Sequence, residues 1–286
     1  MDVRSYLAPY GIDLVGVLPL CECRLTRPYL LSRAGFDPNA PLSVVMLAIP
    51  YLTPIADTPD RNLSAYAVSE DYHLFIRELF DELVARLRAD APDHRFVGFA
   101  DHSPIDEIDA AVLAGLGVRG RNHLLLTERY SSYVFLSEIV TDLPLASTRT
   151  ALPVEALRCH DCGACISACP KHRTDGTCLS ALTQKKGELT ERERAVLTDF
   201  PSVWGCDVCQ EVCPYTYRAR ARGTIYSPIP FFSRNALAHL TVEELDRMSD
   251  EQFSRRAYAW RGRDTIRRNL LWKTPNASAA SEEKEN

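Results

Sequence analysis

Two hydrophobic periods organise the first half of this 286-residue chain. Val44-Val45-Met46-Leu47-Ala48-Ile49-Pro50 is an unbroken apolar run rich in branched residues and stopped by proline, which predicts a buried strand. Ile76, Leu79, Phe80, Leu83 and Leu87 then recur at helical spacing and predict an amphipathic helix from about Ser69, with Ser69, Glu70 and Asp71 suited to its N-terminus. Arg95-Phe96-Val97-Gly98-Phe99-Ala100 predicts a second strand that delivers Asp101 at its C-terminal end. Leu124 to Leu126 and Tyr133 to Val140 predict two more, the last ending at Thr141-Asp142-Leu143-Pro144. Residues 1–43 read as a first helix followed by a polar loop. Residues 1–150 thus alternate helices and strands as an α+β layer domain.

Beyond residue 150 the pattern turns polar. Thr190-Glu-Arg-Glu-Arg is a helix start, and Thr241-x-x-Glu244 and Ser249-x-x-Gln252 are two capping boxes. The second opens a segment carrying Arg255, Arg256, Arg261, Arg263, Arg267 and Arg268, interleaved with Tyr258 and Trp260. Arginines that meet phosphates, among aromatics that stack on unpaired bases, suit an RNA surface; a solvated basic helix is the plainer reading. The tail from Ser278 to Asn286 reads as disordered. No apolar run reaches the 18 or so residues of a membrane span. The formal charge of −5 speaks against bulk nucleic-acid affinity, although the C-terminal part is locally basic.

Ten cysteines change the picture most. Cys159-x2-Cys162-x2-Cys165-x3-Cys169-Pro170 has the spacing of a bacterial ferredoxin run for a [4Fe–4S] cluster, and a second, incomplete run follows at Cys206-x2-Cys209-x3-Cys213-Pro214, with Cys178 between. Three thiolates on a tight loop reach three corners of one cube, and the fourth, three residues on, serves the other cluster. Cluster one therefore takes Cys159, Cys162, Cys165 and Cys213; cluster two takes Cys169, Cys178, Cys206 and Cys209. Disulfides suit small secreted domains, and zinc uses paired knuckles that leave the third and fourth cysteines unexplained. Cys21 and Cys23 read as two free thiols.

Other candidates admit two readings each. Asp101 is a strand-end carboxylate, placed to cap a helix or to do chemistry. His73, alone near the start of an amphipathic helix, reads as structural. The stretch Gly115-Leu116-Gly117-Val118-Arg119-Gly120-Arg121-Asn122 is either a turn or a loop against a large planar or anionic cofactor.

The chain resembles the epoxyqueuosine reductase family over about residues 40 to 272. The resemblance is carried by Leu63-Ser64-Ala65-Tyr66-Ala67, Asp71-Tyr72-His73, Asp101-His102-Ser103-Pro104, Ala114-Gly115-Leu116-Gly117-x-x-Gly120-Arg121-Asn122 and Phe135-Leu136-x-Glu138-Ile139-x-Thr141-Asp142-Leu143-Pro144. Cys178-Leu179-Ser180 and Trp204-Gly205-Cys206-Asp207-x-Cys209-Gln210-Glu211-x-Cys213-Pro214 complete it. The chain looks like a short form, without the C-terminal helical repeats of many members. It departs from the family pattern at Arg121, usually lysine, and at His102, usually threonine or serine.

The resemblance implies an α+β fold: a nitroreductase-like corrin-binding domain over residues 1–150, a ferredoxin-like double-cluster domain over 151–221, a helical basic extension over 222–274 and a tail from 275. It implies reduction of epoxyqueuosine to queuosine in the anticodon of tRNA, with a base-off cobalamin and two [4Fe–4S] clusters fed by a low-potential electron donor. Ten cysteines suit an iron–sulfur protein in a reducing compartment, and a cytoplasmic monomer is the expectation. Asp101 is then the acid, which requires a raised pKa or a coupled proton relay. Asp101, Gly120, Arg121, Asn122, Cys206 and Asp207 would contact cobalamin; Lys186, Arg255, Arg256, Arg267 and Arg268 would contact tRNA. A corrinoid-dependent reductase of another substrate and a ferredoxin-type electron carrier are the competing functions.

Overall fold

A computed structural model of the chain describes residues 1–152, 156–174 and 176–273. It divides into two compact units, each built from separated segments: residues 1–53, 72–168 and 209–232 form the first, and 54–71, 169–208 and 233 onward the second. The charged tail lies outside the described residues.

The first unit is a sheet covered on both faces. Its helices and strands in chain order are α1 (Val3–Leu7), β1 (Leu14–Pro19), α2 (Tyr29–Arg33), β2 (Ser43–Pro50), α3 (Tyr72–Asp90), β3 (Phe96–Phe99), α4 (Glu107–Leu113), β4 (Val118–Arg119), β5 (Leu125–Leu126) and β6 (Val134–Thr141). The main sheet has the order β1-β2-β6-β3, antiparallel throughout, and β4 pairs with β5 apart from it. Central β2 is buried at all eight positions, which explains its unbroken apolar run. Val44, Met46 and Ala48 share one core with Ala110 to Leu113 of α4, and Val97 and Phe99 pack against it. Gly98 points the other way, where a Cβ would stand 2.4 Å from the Phe80 ring of α3. With a side-chain period of two, α3 and α4 therefore cover opposite faces. The apolar stripe of α3 is buried at Phe75, Ile76, Leu79, Leu83 and Leu87.

Strand β1 is a correction to the polar loop expected before residue 43. Leu14 to Pro19 is a six-residue strand with four buried positions. Gly16 interrupts its apolar pattern because the Ala114 carbonyl would lie 2.5 Å from a Cβ there. The amphipathic helix begins at Tyr72 rather than near Ser69.

The second unit has little regular structure and many specific ties. Trp204 is fully buried; its indole N–H donates to the Tyr66 hydroxyl (2.9 Å), and its ring meets Tyr258 edge-on. Asn62 donates to the Leu240 carbonyl and accepts from its N–H, both at 2.8 Å. Buried Asn269 donates to the carbonyls of Thr183 and Val203. Three helices start on complete capping boxes, Thr190 with Glu193, Thr241 with Glu244 and Ser249 with Gln252. The basic segment is not one helix but two, Asp250–Ser254 and Arg263–Leu271, joined by a 3-10 turn.

Overpacking a rigid backbone contact costs about 1–3 kcal/mol. Gly16→Ala should lower stability by that amount, seen as an earlier urea midpoint with an unchanged slope.

Candidate functional site

Asp101 ends the turn after β3, in the left-handed backbone region at φ 58°. Such a conformation is tolerated by Asp and Asn and strained for most residues. Its side chain is 57% exposed. Tyr72 donates its hydroxyl to Oδ2, and His73 Nε2 lies 3.1 Å from the same oxygen. Tyr72 in turn stacks on Phe135 of β6, ring centroids 3.9 Å apart and nearly parallel. Crowding alone would raise the Asp101 pKa. The hydrogen bonds from His73 and Tyr72 outweigh it and hold the carboxyl below the usual range. Of the two conditions for an acid here, the raised pKa is not met, whereas partners for a relay are present. His73, which reads as structural in the sequence, is thus placed against the Asp101 carboxylate. The contact exists because the first turn of α3 meets the end of β3, which no local pattern announces.

Beneath this turn lies a buried carboxyl pair. Glu138 is fully buried in the middle of β6, on the face that α4 covers, and accepts from the Ser103 hydroxyl at 2.5 Å. Its other oxygen and Glu107 Oε1 on α4 are buried with no donor from another residue, which leaves the two carboxyls to each other. Burial first, then the charge of Asp101, pushes Glu107 up to about 7. Burial and the charge of Glu107 raise Glu138 well above the ordinary carboxylate range. Two carboxyls in such a place share protons at neutral pH. Neither was singled out as chemical in the sequence; a glutamate in the middle of an apolar strand was the available signal.

The cysteines sort by unit. Cys159, Cys162, Cys165 and Cys213 line one cleft of the first unit, together with Arg121, Asn122, Asp161 and Tyr215. Burial raises Cys165 and Cys213, with further contributions from the neighbouring thiols of that set. In the second unit Cys206 is pushed to about 11 by burial, with contributions from Asp207, Cys178 and Cys169. Cys209 opens the next segment of the first unit. Among the described residues no three His, Cys, Asp or Glu side chains close on a single metal ion. A cubane asks for something else, since its thiolates attach to separate irons at the corners of a cube.

Gly120, Arg121 and Asn122 form a turn at that cleft. Gly120 N–H donates to the Leu124 carbonyl at 2.8 Å, and Arg121 pairs with Asp161 at 2.7 Å. Asp207, in the second unit, is buried and spent on its own surroundings. It accepts from Ser64 Oγ (2.5 Å) and the Ala65 N–H (2.7 Å) and pairs with Arg61 (3.1 Å). Gly205 beside it, at φ 71°, leaves 2.4 Å between a would-be Cβ and Ser64 Cβ, so the loop from Ser64 closes only on glycine.

The arginines offered as RNA contacts are engaged with the protein. Arg255 forks onto buried Glu70 at 2.6 and 2.9 Å and holds its carboxyl below the usual range. Arg256 donates to the Asn235 carbonyl (2.8 Å), Arg267 pairs with Asp246 (3.1 Å), and Arg268 reaches the Gly187 carbonyl (2.5 Å). Lys186 is exposed.

Comparison with known proteins agrees across these segments. A family model described as "Epoxyqueuosine reductase QueG, DUF1730" matches residues 38–102, and one described as a "4Fe-4S double cluster binding domain" matches residues 158–216. The epoxyqueuosine reductase of Gloeobacter violaceus is 31% identical over 239 residues, covering 79% of this chain and 71% of that protein. That of Listeria monocytogenes is 33% identical over 251 residues, covering 81% of this chain. The chain spans 63% of the length of that Listeria relative. A crystal structure of an epoxyqueuosine reductase with a modified tRNA-Tyr stem loop shares the fold, at TM-score 0.74 and 24% identity, over 98% of this chain and 83% of that one.

A carboxyl whose folded pKa stands above its unfolded value near 4.3 binds more protons in the folded state. Its contribution to stability is therefore lost as pH rises from there to the folded value of about 7 for Glu107. Glu107→Gln should leave the melting temperature nearly unchanged at pH 4 and raise it by several degrees at pH 8. Calorimetry across that window checks the sign.

Proposed function

The chain belongs to the epoxyqueuosine reductase family, and from that premise we propose that it reduces epoxyqueuosine to queuosine at the wobble position of tRNA, using cobalamin and two [4Fe–4S] clusters. The observation that carries the reading is Asp101, an open carboxylate backed by Tyr72 and His73, in a chain that also bears the double-cluster segment. Converting an epoxide to an alkene consumes two electrons and two protons and releases one water. Clusters of this kind deliver electrons singly. Cobalamin, when bound, supplies a centre able to collect them and act on carbon.

The chain's own residues handle the protons. Asp101 is ionised at neutral pH, so a proton reaching the departing oxygen passes through it rather than waiting on it. His73, in contact with Oδ2, is the group able to bring that proton, and Tyr72 fixes the carboxylate that receives it. The stacked Tyr72 and Phe135 rings, both part-exposed, offer a flat face beside the acid that suits a planar ligand. Of the residues expected to hold cobalamin, Asp101 is therefore the one supported best; Arg121 and Asn122 line the cysteine cleft instead.

Electrons come from a low-potential donor, and the enzyme works as a cytoplasmic monomer in this reading. No described helix is long and apolar enough to cross a membrane. The engagement of Arg255, Arg256, Arg267 and Arg268 within the second unit favours one alternative specifically, a corrinoid-dependent reductase whose substrate is not RNA.

Anaerobic reconstitution with iron, sulfide and cobalamin, followed by single turnover on tRNA carrying epoxyqueuosine, separates these. Queuosine in the product supports the proposal. Bound cobalamin with no product points to another substrate, and clusters without cobalamin point to an electron carrier. Asp101→Asn keeps a residue at home in the left-handed backbone and should retain both clusters while losing about 10²–10⁴-fold in turnover. Undiminished turnover would remove Asp101 from the mechanism.

A further inference from the structure

Asn122 Nδ2 is a buried amide nitrogen without a hydrogen-bond partner, and Asn122 lines the cleft of Cys159, Cys162, Cys165 and Cys213. A buried donor left without an acceptor is costly and rare in folded proteins. Among the described residues the other buried side-chain atoms without partners are oxygens of Glu107, Ser137 and Glu138 and Arg261 Nε, none of which lines this cleft.

The orientation of the amide is set by its own turn. Leu124 N–H donates to Asn122 Oδ1 at 3.3 Å, which fixes the oxygen end and leaves the nitrogen end facing elsewhere. The His123 N–H donates to the Gly120 carbonyl at 3.0 Å and closes the loop. Gly120 makes the arrangement possible, because a Cβ there would stand 2.3 Å from Asn122 Oδ1. The Gly120-Arg121-Asn122 stretch is thus a device for holding one carboxamide in one pose.

We infer that the Asn122 amide donates a hydrogen bond to a sulfur of the cluster held by Cys159, Cys162, Cys165 and Cys213, and that this bond raises that cluster's reduction potential. The inference rests on the assignment of those four cysteines to one cluster. A [4Fe–4S] core gains negative charge on reduction, and the charge falls partly on its sulfurs. A fixed N–H donor aimed at sulfur stabilises the reduced form more than the oxidised one. The bond needs no proton transfer and no movement, so it acts as a constant bias. Arg121, tied to Asp161, is not the donor in this account.

Redox titration followed by electron paramagnetic resonance tests it. In Asn122→Ala, and in Asn122→Asp, which keeps the acceptor for Leu124 but lacks the N–H, one cluster's midpoint should fall by about 59 mV or more, a tenfold change in its reduction equilibrium. The other cluster should stay where it was. Pulsed resonance on the unmodified chain, reduced and carrying ¹⁵N only in asparagine side chains, should show nitrogen coupling at one cluster; this measurement stands even where a variant fails to assemble its cluster. Two intact clusters with neither a shift nor a coupling would overturn the inference alone. A shift confined to the cluster lost in Cys178→Ala would overturn it too. Fewer than two clusters in the unmodified reconstituted chain would sink the ligand assignment and the inference with it.

Discussion

A fully buried glutamate in the middle of a strand is an expensive feature, and the geometry around Asp101 follows from accommodating it. Glu138 cannot ionise alone in an apolar layer without a penalty of several kcal/mol. It is accommodated by the Ser103 hydroxyl on one side and by proton sharing with Glu107 on the other. Ser103 stands two residues after Asp101, and Glu107 opens α4 immediately beyond. The turn that presents Asp101 is therefore pinned from below by a pair whose carboxyls burial keeps from both ionising. The strain of a left-handed Asp101 is sustained by those anchors and by Tyr72 and His73 above. A carboxylate kept charged at the surface, over carboxyls kept largely neutral beneath, is one way for a single turn to hold groups of opposite proton affinity.

Much of this architecture is written in local sequence. The β2 run, the stripe of α3, the later strands and the three capping boxes each carry their own periodic or positional signal. So do the cysteine runs, whose spacing reflects the shape of a cube. What escapes local reading is always a contact between distant segments. Strand β1 is hidden by Gly16, whose reason lies at Ala114. His73 acquires meaning only where α3 meets the end of β3. The C-terminal arginines look free in sequence because their partners, Glu70, Asn235, Asp246 and Gly187, are scattered through other segments. Arginine is well suited to such ties, since its planar fork meets a carboxylate with two bonds at once. Composition alone cannot separate that use from phosphate binding.

The second unit shows how irregular chain can be made specific. Its regular structure is sparse, and its core holds one fully buried tryptophan rather than an extended apolar layer. Order comes from side chains that satisfy backbone groups: Asn62 on both groups of Leu240, Asn269 on two carbonyls, Asp207 on the loop from Ser64. Each of these ties joins residues far apart in sequence. Such a unit gains uniqueness from satisfied polar pairs where a small core supplies limited driving force.

The interleaving of the two units has a consequence for how the protein is made. Cys159, Cys162 and Cys165 leave the ribosome well before Cys213, the fourth residue of their cleft, and the entire 169–208 segment of the other unit comes between. No stretch of the nascent chain that ends before residue 213 contains all four of those cysteines. The cluster proposed for these four thiols can be completed only once residue 213 has emerged, after the whole 169–208 segment of the other unit. Until then the emerging chain carries three of those thiols on a short loop without the fourth.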